Sequence, residues 1–285
     1  MHKRSSLRQP LGRRSFLIGA AGVAAIAATA GSAFAMPAVM SPMTLESDPR
    51  LSAKTVAIPG KAANLSGYLV TPTHPELVTG VRPVSGRAPG IVLIGEDRGL
   101  NAHIKDLARR FATEGFVVLA IDYLSPLGGT PVDGDVAADM AQKQNPADVV
   151  AFGRQAIAYL KTVPGVGRVG VVGFGKGGMR VNELVELEPG IGAAVAYYAG
   201  APNLDKIGDV HAPLLEHYAA QDERHMLEFP KFEAAMKRAG KPYQLYIYTM
   251  SKLGFTDDTN LNLYDQVNTE LAWGRTVSFL HKYLG

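Results

Sequence analysis

The run Val169-Gly170-Val171-Val172-Gly173-Phe174-Gly175-Lys176-Gly177-Gly178 reads as a buried strand, a glycine-tight turn and the start of a helix. Such a bend suits nucleophilic attack on a carbonyl, because it lifts one side chain clear of the strand and leaves backbone N–H groups to receive the oxyanion. The position for the attacking atom is Gly175, which has no side chain, and the chain has no cysteine anywhere. What remains is the backbone N–H of Lys176, placed to donate into an oxyanion pocket with an N–H from the Glu96–Asp97 turn. The same glycines spell Gly173-x-Gly175-x-x-Gly178, the dinucleotide pattern. That pattern belongs to the first strand–helix unit and needs an acid about 20 residues on, whereas Gly190–Leu204 carries none. No nicotinamide cofactor is therefore expected.

A base must come from the seven histidines, His2, His74, His103, His211, His217, His225 and His281. Of these His225, three residues after Asp222, sits on a loop expected to border the pocket and is the candidate substitute base. Ser251 and Ser125 are the candidate relocated oxygens. The competing account of all three is that they are solvated turn residues. Glu96 is expected to form an ion pair with Arg98. No His, Asp or Glu set has the spacing of metal ligands, so neither metal nor cofactor is predicted.

Residues that must converge need elements to carry them. Strands are predicted at 55–59, 67–72, 90–95, 116–122, 168–173, 191–198, 213–219 and 243–248, in Val/Ile/Leu-rich runs suited to burial on both faces. Helices are predicted at 103–114, 146–163, 178–187, 228–239 and 263–283, the last from Leu271, Trp273, Val277 and Phe279. Residues 126–145 read as a lid-like stretch without a substrate signature. The alternation gives an α/β fold: a mostly parallel, doubly wound sheet of about eight strands with helices on both faces.

The net charge of +3 would suggest an anionic partner, but Lys3, Arg4, Arg8, Arg13 and Arg14 stand before residue 36 and no acid does. Without residues 1–35 the chain has 24 basic against 26 acidic side chains, a charge of −2, so nucleic acid is not implied. Gly12-Arg13-Arg14-Ser15-Phe16-Leu17, the Ala/Gly-rich stretch behind it and Ala33-Phe34-Ala35 resemble a twin-arginine export signal, cleaved before Met36. The competing account is a retained anchor, for which the stretch is weakly apolar. The expected organisation is a signal over 1–35, a linker over 36–53 and one domain over 54–285, working in the periplasm or outside the cell and away from the membrane after cleavage.

Several segments, in order, are similar to the dienelactone hydrolase family, especially its exported bacterial branch. They are Glu96-Asp97-Arg98-Gly99-Leu100-Asn101, Asp106-Leu107-Ala108-Arg109-Arg110-Phe111-Ala112-Thr113-Glu114-Gly115-Phe116, Ala120-Ile121-Asp122-Tyr123, the elbow at 173–178, His217-Tyr218-Ala219-Ala220-Gln221-Asp222, and Ile247-Tyr248 leading to Gly254-Phe255. The resemblance implies an α/β-hydrolase fold and a Cys or Ser, His and Asp triad acting on esters or lactones. It places the acid at Asp222, the nucleophile at Gly175 and the histidine at Leu253, so two of the three roles are substituted. Glu96, Asp97, Arg98, Lys176 and His225 are the expected binding residues. The implied partner is a small ester, lactone or carboxylate. Two outcomes follow: a non-catalytic binder, or a hydrolase using relocated residues.

Overall fold

Aliphatic and β-branched residues fill strands that glycines, aspartates and helix caps bring to an end, and in the computed structural model eight such strands form one sheet. The structure describes residues 43–74 and 86–285; the predicted signal and the first part of the predicted linker lie outside the described residues. The strands are β1 (Leu51–Ile58), β2 (Leu65–Pro72), β3 (Ala88–Ile94), β4 (Val117–Asp122), β5 (Val166–Phe174), β6 (Ala194–Tyr197), β7 (Leu214–Ala219) and β8 (Tyr243–Tyr248). Their order is β1-β2-β4-β3-β5-β6-β7-β8; β1 with β2 and β2 with β4 pair antiparallel, and every later pair is parallel.

The helices are α1 (Ala102–Thr113), α2 (Gly134–Lys143), α3 (Pro146–Leu160), α4 (Lys176–Leu187), α5 (Glu223–Ala239) and α6 (Gln266–Leu284). Successive strand residues point to opposite faces, which splits the core in two. Val92, Ile94, Val169 and Val171 pack beneath α3, α4 and α5, while Ile91, Leu93, Val172 and Phe174 pack beneath α1 and α6.

Differences from the sequence reading have local causes. The stretch read as a lid contains α2, whose one buried residue is Ala137; a short charged helix shows little apolar period, and its start is fixed by Asp133, which accepts from the Asp135 and Val136 amides. Helix α5 begins five residues earlier than predicted because Asp222 caps it, and it carries Pro230 inside rather than near its start. Helix α6 begins at Gln266, capped by Asp265, and Leu271 on it is exposed. Strand β6 is shorter than read and ends where Tyr198 adopts φ 39°. Residues 43–50, read as linker, are held by α1: the Met43 and Thr44 amides donate to Asp106 at 3.1 and 2.9 Å, and Arg109 Nε donates to the Thr44 carbonyl.

Register aligns the carboxyl ends of the parallel strands. Ile94 lies opposite Gly173, Phe174 opposite Tyr197, Tyr197 opposite His217 and Ala219 opposite Tyr248. From β3 the chain goes to β4 on one side, then crosses to β5 on the other, so the crevice beyond β3 and β5 is the switch point where such sheets place ligands.

Candidate functional site

Gly175 caps α4 at φ 52° and ψ −118°, a conformation that disfavours a side chain, and an added Cβ would meet Glu96 Cγ at 3.7 Å, an ordinary contact. The turn therefore aims the missing side chain at Glu96. Gly177 holds the turn down, since a Cβ there would stand 2.4 Å from the carbonyl oxygens of Ile94 and Gly95. The strand-to-helix bend is thus a tight turn with a glycine at its apex.

Around it is a cavity of about 300 Å³, lined by Glu96, Asp97 and Arg98 after β3, by Gly175 and Lys176, by Tyr198 after β6, and by Leu253 after β8. Six sequence-predicted positions, Glu96, Asp97, Arg98, Gly175, Lys176 and Leu253, thus line one cavity. Gly175 and Leu253, the positions to which the resemblance assigns the nucleophile and the histidine, are among them. Asp222 and His225 do not line it: Asp222 Oδ1 accepts from the His225 amide at 3.3 Å, and Asp222 Oδ2 lies 2.6 Å from His225 Nδ1. The carboxylate placed as triad acid spends its oxygens on capping α5 and pairing its own helix. Ser251 bonds Asp265 and Asn268, and Ser125 accepts from the Ser66 amide, so both oxygens have structural partners.

The expected Glu96–Arg98 ion pair is not formed. Tyr198 Oη donates to Glu96 Oε1 at 2.5 Å and also meets Thr256 Oγ1 at 2.9 Å, while Arg98 extends toward Asp135 at 3.9 Å. The reason is burial: the Glu96 carboxyl turns inward, where desolvation pushes its pKa up although the Tyr198 hydrogen bond works the other way. The Glu96 carbonyl is fixed from behind by Tyr123 Oη at 2.5 Å.

The sequence reading passed over His103. It is buried on α1, lines the same cavity, and its Nδ1 lies 3.1 Å from Asp258 Oδ1 and 3.8 Å from Asp257 Oδ1. A carboxylate only accepts, so Nδ1 carries a proton toward Asp258, and Nε2 is buried without a hydrogen-bond partner. Burial works to raise the Asp258 pKa, but the His103 hydrogen bond and Arg110 hold it below the usual range. His103, Asp257 and Asp258 offer ligand atoms within 4.8 Å of one another, a cluster that linear spacing could not reveal. A cation there would compete with Arg110, which already pairs with both Asp258 and Asp106.

A mostly parallel sheet, helices on both faces and a glycine-bound elbow at the switch point define an α/β hydrolase fold. The chain belongs to the dienelactone hydrolase family, whose model matches residues 76–284. Protein usf of Aquifex pyrophilus is 31% identical over 211 residues, covering 69% of this chain and 89% of its own. A Bradyrhizobium protein named "Probable 2-oxo-3-(5-oxofuran-2-ylidene)propanoate lactonase" is 28% identical over 222 residues, covering 71% and 88%. The dienelactone hydrolase of Anabaena variabilis superposes with a TM-score of 0.60 at 15% identity, over 83% of this chain and all of that one, a likeness of fold. Among the described residues no helix is long and apolar enough to cross a membrane.

Proposed function

We propose that this protein binds a small carbonyl or carboxylate compound in the elbow cavity and forms no covalent acyl intermediate there. The observation that carries this is that Gly175 and Leu253 line the same cavity and that neither side chain has an atom able to attack or to take a proton. Supporting it, Lys176 at the start of α4 and Asp97 in the turn after β3 border the cavity, where their backbone N–H groups are the candidate donors to a carbonyl oxygen. Rapid mixing with a small aryl ester, followed by peptide mapping, tests the reading. The expected result is saturable binding with no burst of product and no acyl group on the loops after β3, β5 and β8. An acyl adduct on a residue lining the cavity overturns it.

One observation favours a second reading, hydrolysis by directly activated water. His103, whose ring is oriented by Asp258, lines the same cavity as Glu96, and its buried Nε2 has no hydrogen-bond partner. In that reading water attacks the carbonyl as His103 takes its proton, and slow ester turnover disappears in His103→Ala while surviving in His225→Ala. We further propose export by the twin-arginine route, supported by Arg13-Arg14 ahead of an uncharged Ala/Gly-rich stretch. Changing both arginines to lysine is expected to retain the protein in the cytoplasm.

A further inference from the structure

Strand β8 ends the sheet, and β7 occupies only one of its edges. The Leu214 amide donates to the Pro242 carbonyl at 3.1 Å, and the Ala220 amide donates to the Tyr248 carbonyl at 3.0 Å. Bonding residues alternate along a parallel ladder, so Gln244, Tyr246 and Tyr248 turn their backbone groups to β7, while Tyr243, Leu245 and Ile247 turn theirs outward. Among the described residues no strand pairs with that outer edge.

A bare edge is a template for another strand, and folds blunt it with charge, proline or a bulge. The strand at the opposite edge, β1, carries Lys54 near its centre. Strand β8 reads Tyr-Gln-Leu-Tyr-Ile-Tyr, with no charge, no proline and an unbroken register against β7, and its Ile247 is 36% exposed.

We propose that the occupant of this edge is β8 of a second copy of the chain, laid antiparallel about a two-fold axis at Leu245, so that two sheets join into one. The alternation makes the edge its own complement. With Leu245 opposite Leu245, Tyr243 falls opposite Ile247, and each such pair exchanges both of its N–H···O bonds, which leaves no outward group of these residues unpaired. The side chains agree, since an aromatic residue meets a β-branched one and leucine meets leucine, with no like charges opposed. A two-fold pairing consumes both free edges and closes, whereas parallel addition would expose a new edge at each step.

The flanking helix adds charge complementarity. Between β8 and α6 runs a groove of about 470 Å³ whose lining includes Tyr246, Glu270, Arg275 and Lys282. Arg275 stacks over the Tyr246 ring at 3.9 Å. Glu270 and Lys282 stand about three turns apart on α6, and among the described residues neither has an ion-pair partner. The two-fold axis reverses one α6 against the other and carries Glu270 of each copy toward Lys282 of its mate. No residue of β8 lines the elbow cavity, so the inference is independent of what that cavity binds.

Sedimentation of the full-length protein, combined with residue-resolved hydrogen exchange, is the test. The expected result is a reversible association that stops at two copies, in which the amides of Tyr243, Leu245 and Ile247 gain protection as concentration rises while those of Gln244 and Tyr246 are protected throughout. Ile247→Lys places a charge on the edge, and Ile247→Pro deletes one outward N–H without touching the ladder to β7; each is expected to weaken the dimer about tenfold or more. If neither variant folds, the helix charges decide: Glu270→Lys is expected to weaken the dimer about tenfold and the added Lys282→Glu to restore it, and an unchanged dimer in the single variant overturns the proposal. A dimer that survives both Ile247 variants overturns it as well, and so does a mass that grows past two copies. A monomer at every concentration also overturns it: protected outward amides would then mean that the chain covers its own edge, and freely exchanging ones would leave the edge to a different protein.

Discussion

At φ 52°, Gly175 occupies backbone that costs a side-chain-bearing residue about 1–3 kcal/mol. Its surroundings would tolerate a methyl group, since the nearest atom to a built Cβ is Glu96 Cγ at 3.7 Å. Conformation and contact can therefore be separated by one substitution. Gly175→Ala is expected to lower stability by about 1–3 kcal/mol through the backbone alone, read as a melting shift of about 2–4 °C per kcal/mol, with the fold unchanged by circular dichroism. A neutral result would mean that the turn relaxes away from this conformation. Tyr198, at φ 39°, sits on the opposite side of the same network and directs its hydroxyl at Glu96. Two residues in rare backbone states thus meet at one carboxyl, as expected where a surrounding fold over-determines a site.

Loops at the carboxyl ends of β3, β5, β6 and β8 build the cavity, and the loop after β7 stands apart from it. Asp222→Ala is accordingly expected to cost about 1 kcal/mol as a lost cap of α5 and to leave ligand affinity unchanged, read by thermal unfolding and titration side by side. Loss of affinity would return Asp222 to the site. The same elements explain what was legible in the chain. Strands buried on both faces announce themselves as unbroken Val/Ile/Leu runs, and the elbow announces itself by its glycines, of which Gly173, Gly177 and Gly178 leave no room for a Cβ. Helix α2 does not, because a short helix with one buried alanine has almost no apolar period. His103 was invisible for another reason: its partner Asp258 is 155 residues away, and only the packing of α1 against the loop after β8 brings them together. His225 looked better because it stood near Asp222 in sequence, which turned out to be the reason it is occupied.

Two neighbours on β7 contribute opposing terms to the whole molecule's response to pH. His217 is buried between Tyr248 and Thr276, and burial, with Arg275 adding to it, lowers its pKa to about 3. The folded chain holds that proton less tightly than the unfolded one, so this contribution is present above 6.5 and is lost as pH falls toward 3. Glu216 is the reverse: neither oxygen has an aligned partner, burial pushes its pKa well up, and its contribution is complete below 4.5 and lost as pH rises. Each slope is about 1.4 kcal/mol per pH unit, and between 4.5 and 6.5 they oppose. Glu216→Gln is expected to raise the melting temperature more at about pH 8 than at about pH 4, and His217→Gln to flatten the acid limb. A Glu216→Gln effect equal at both would refute the assignment. The crevice beyond β3 and β5 joins the two wings of the sheet, with Glu96 from the earlier wing and Gly175 from the later. A guest lodged there acts as a rivet across the seam, so occupancy and mechanical coherence of the domain rise together, and the empty protein should be the first to come apart under tension or protease.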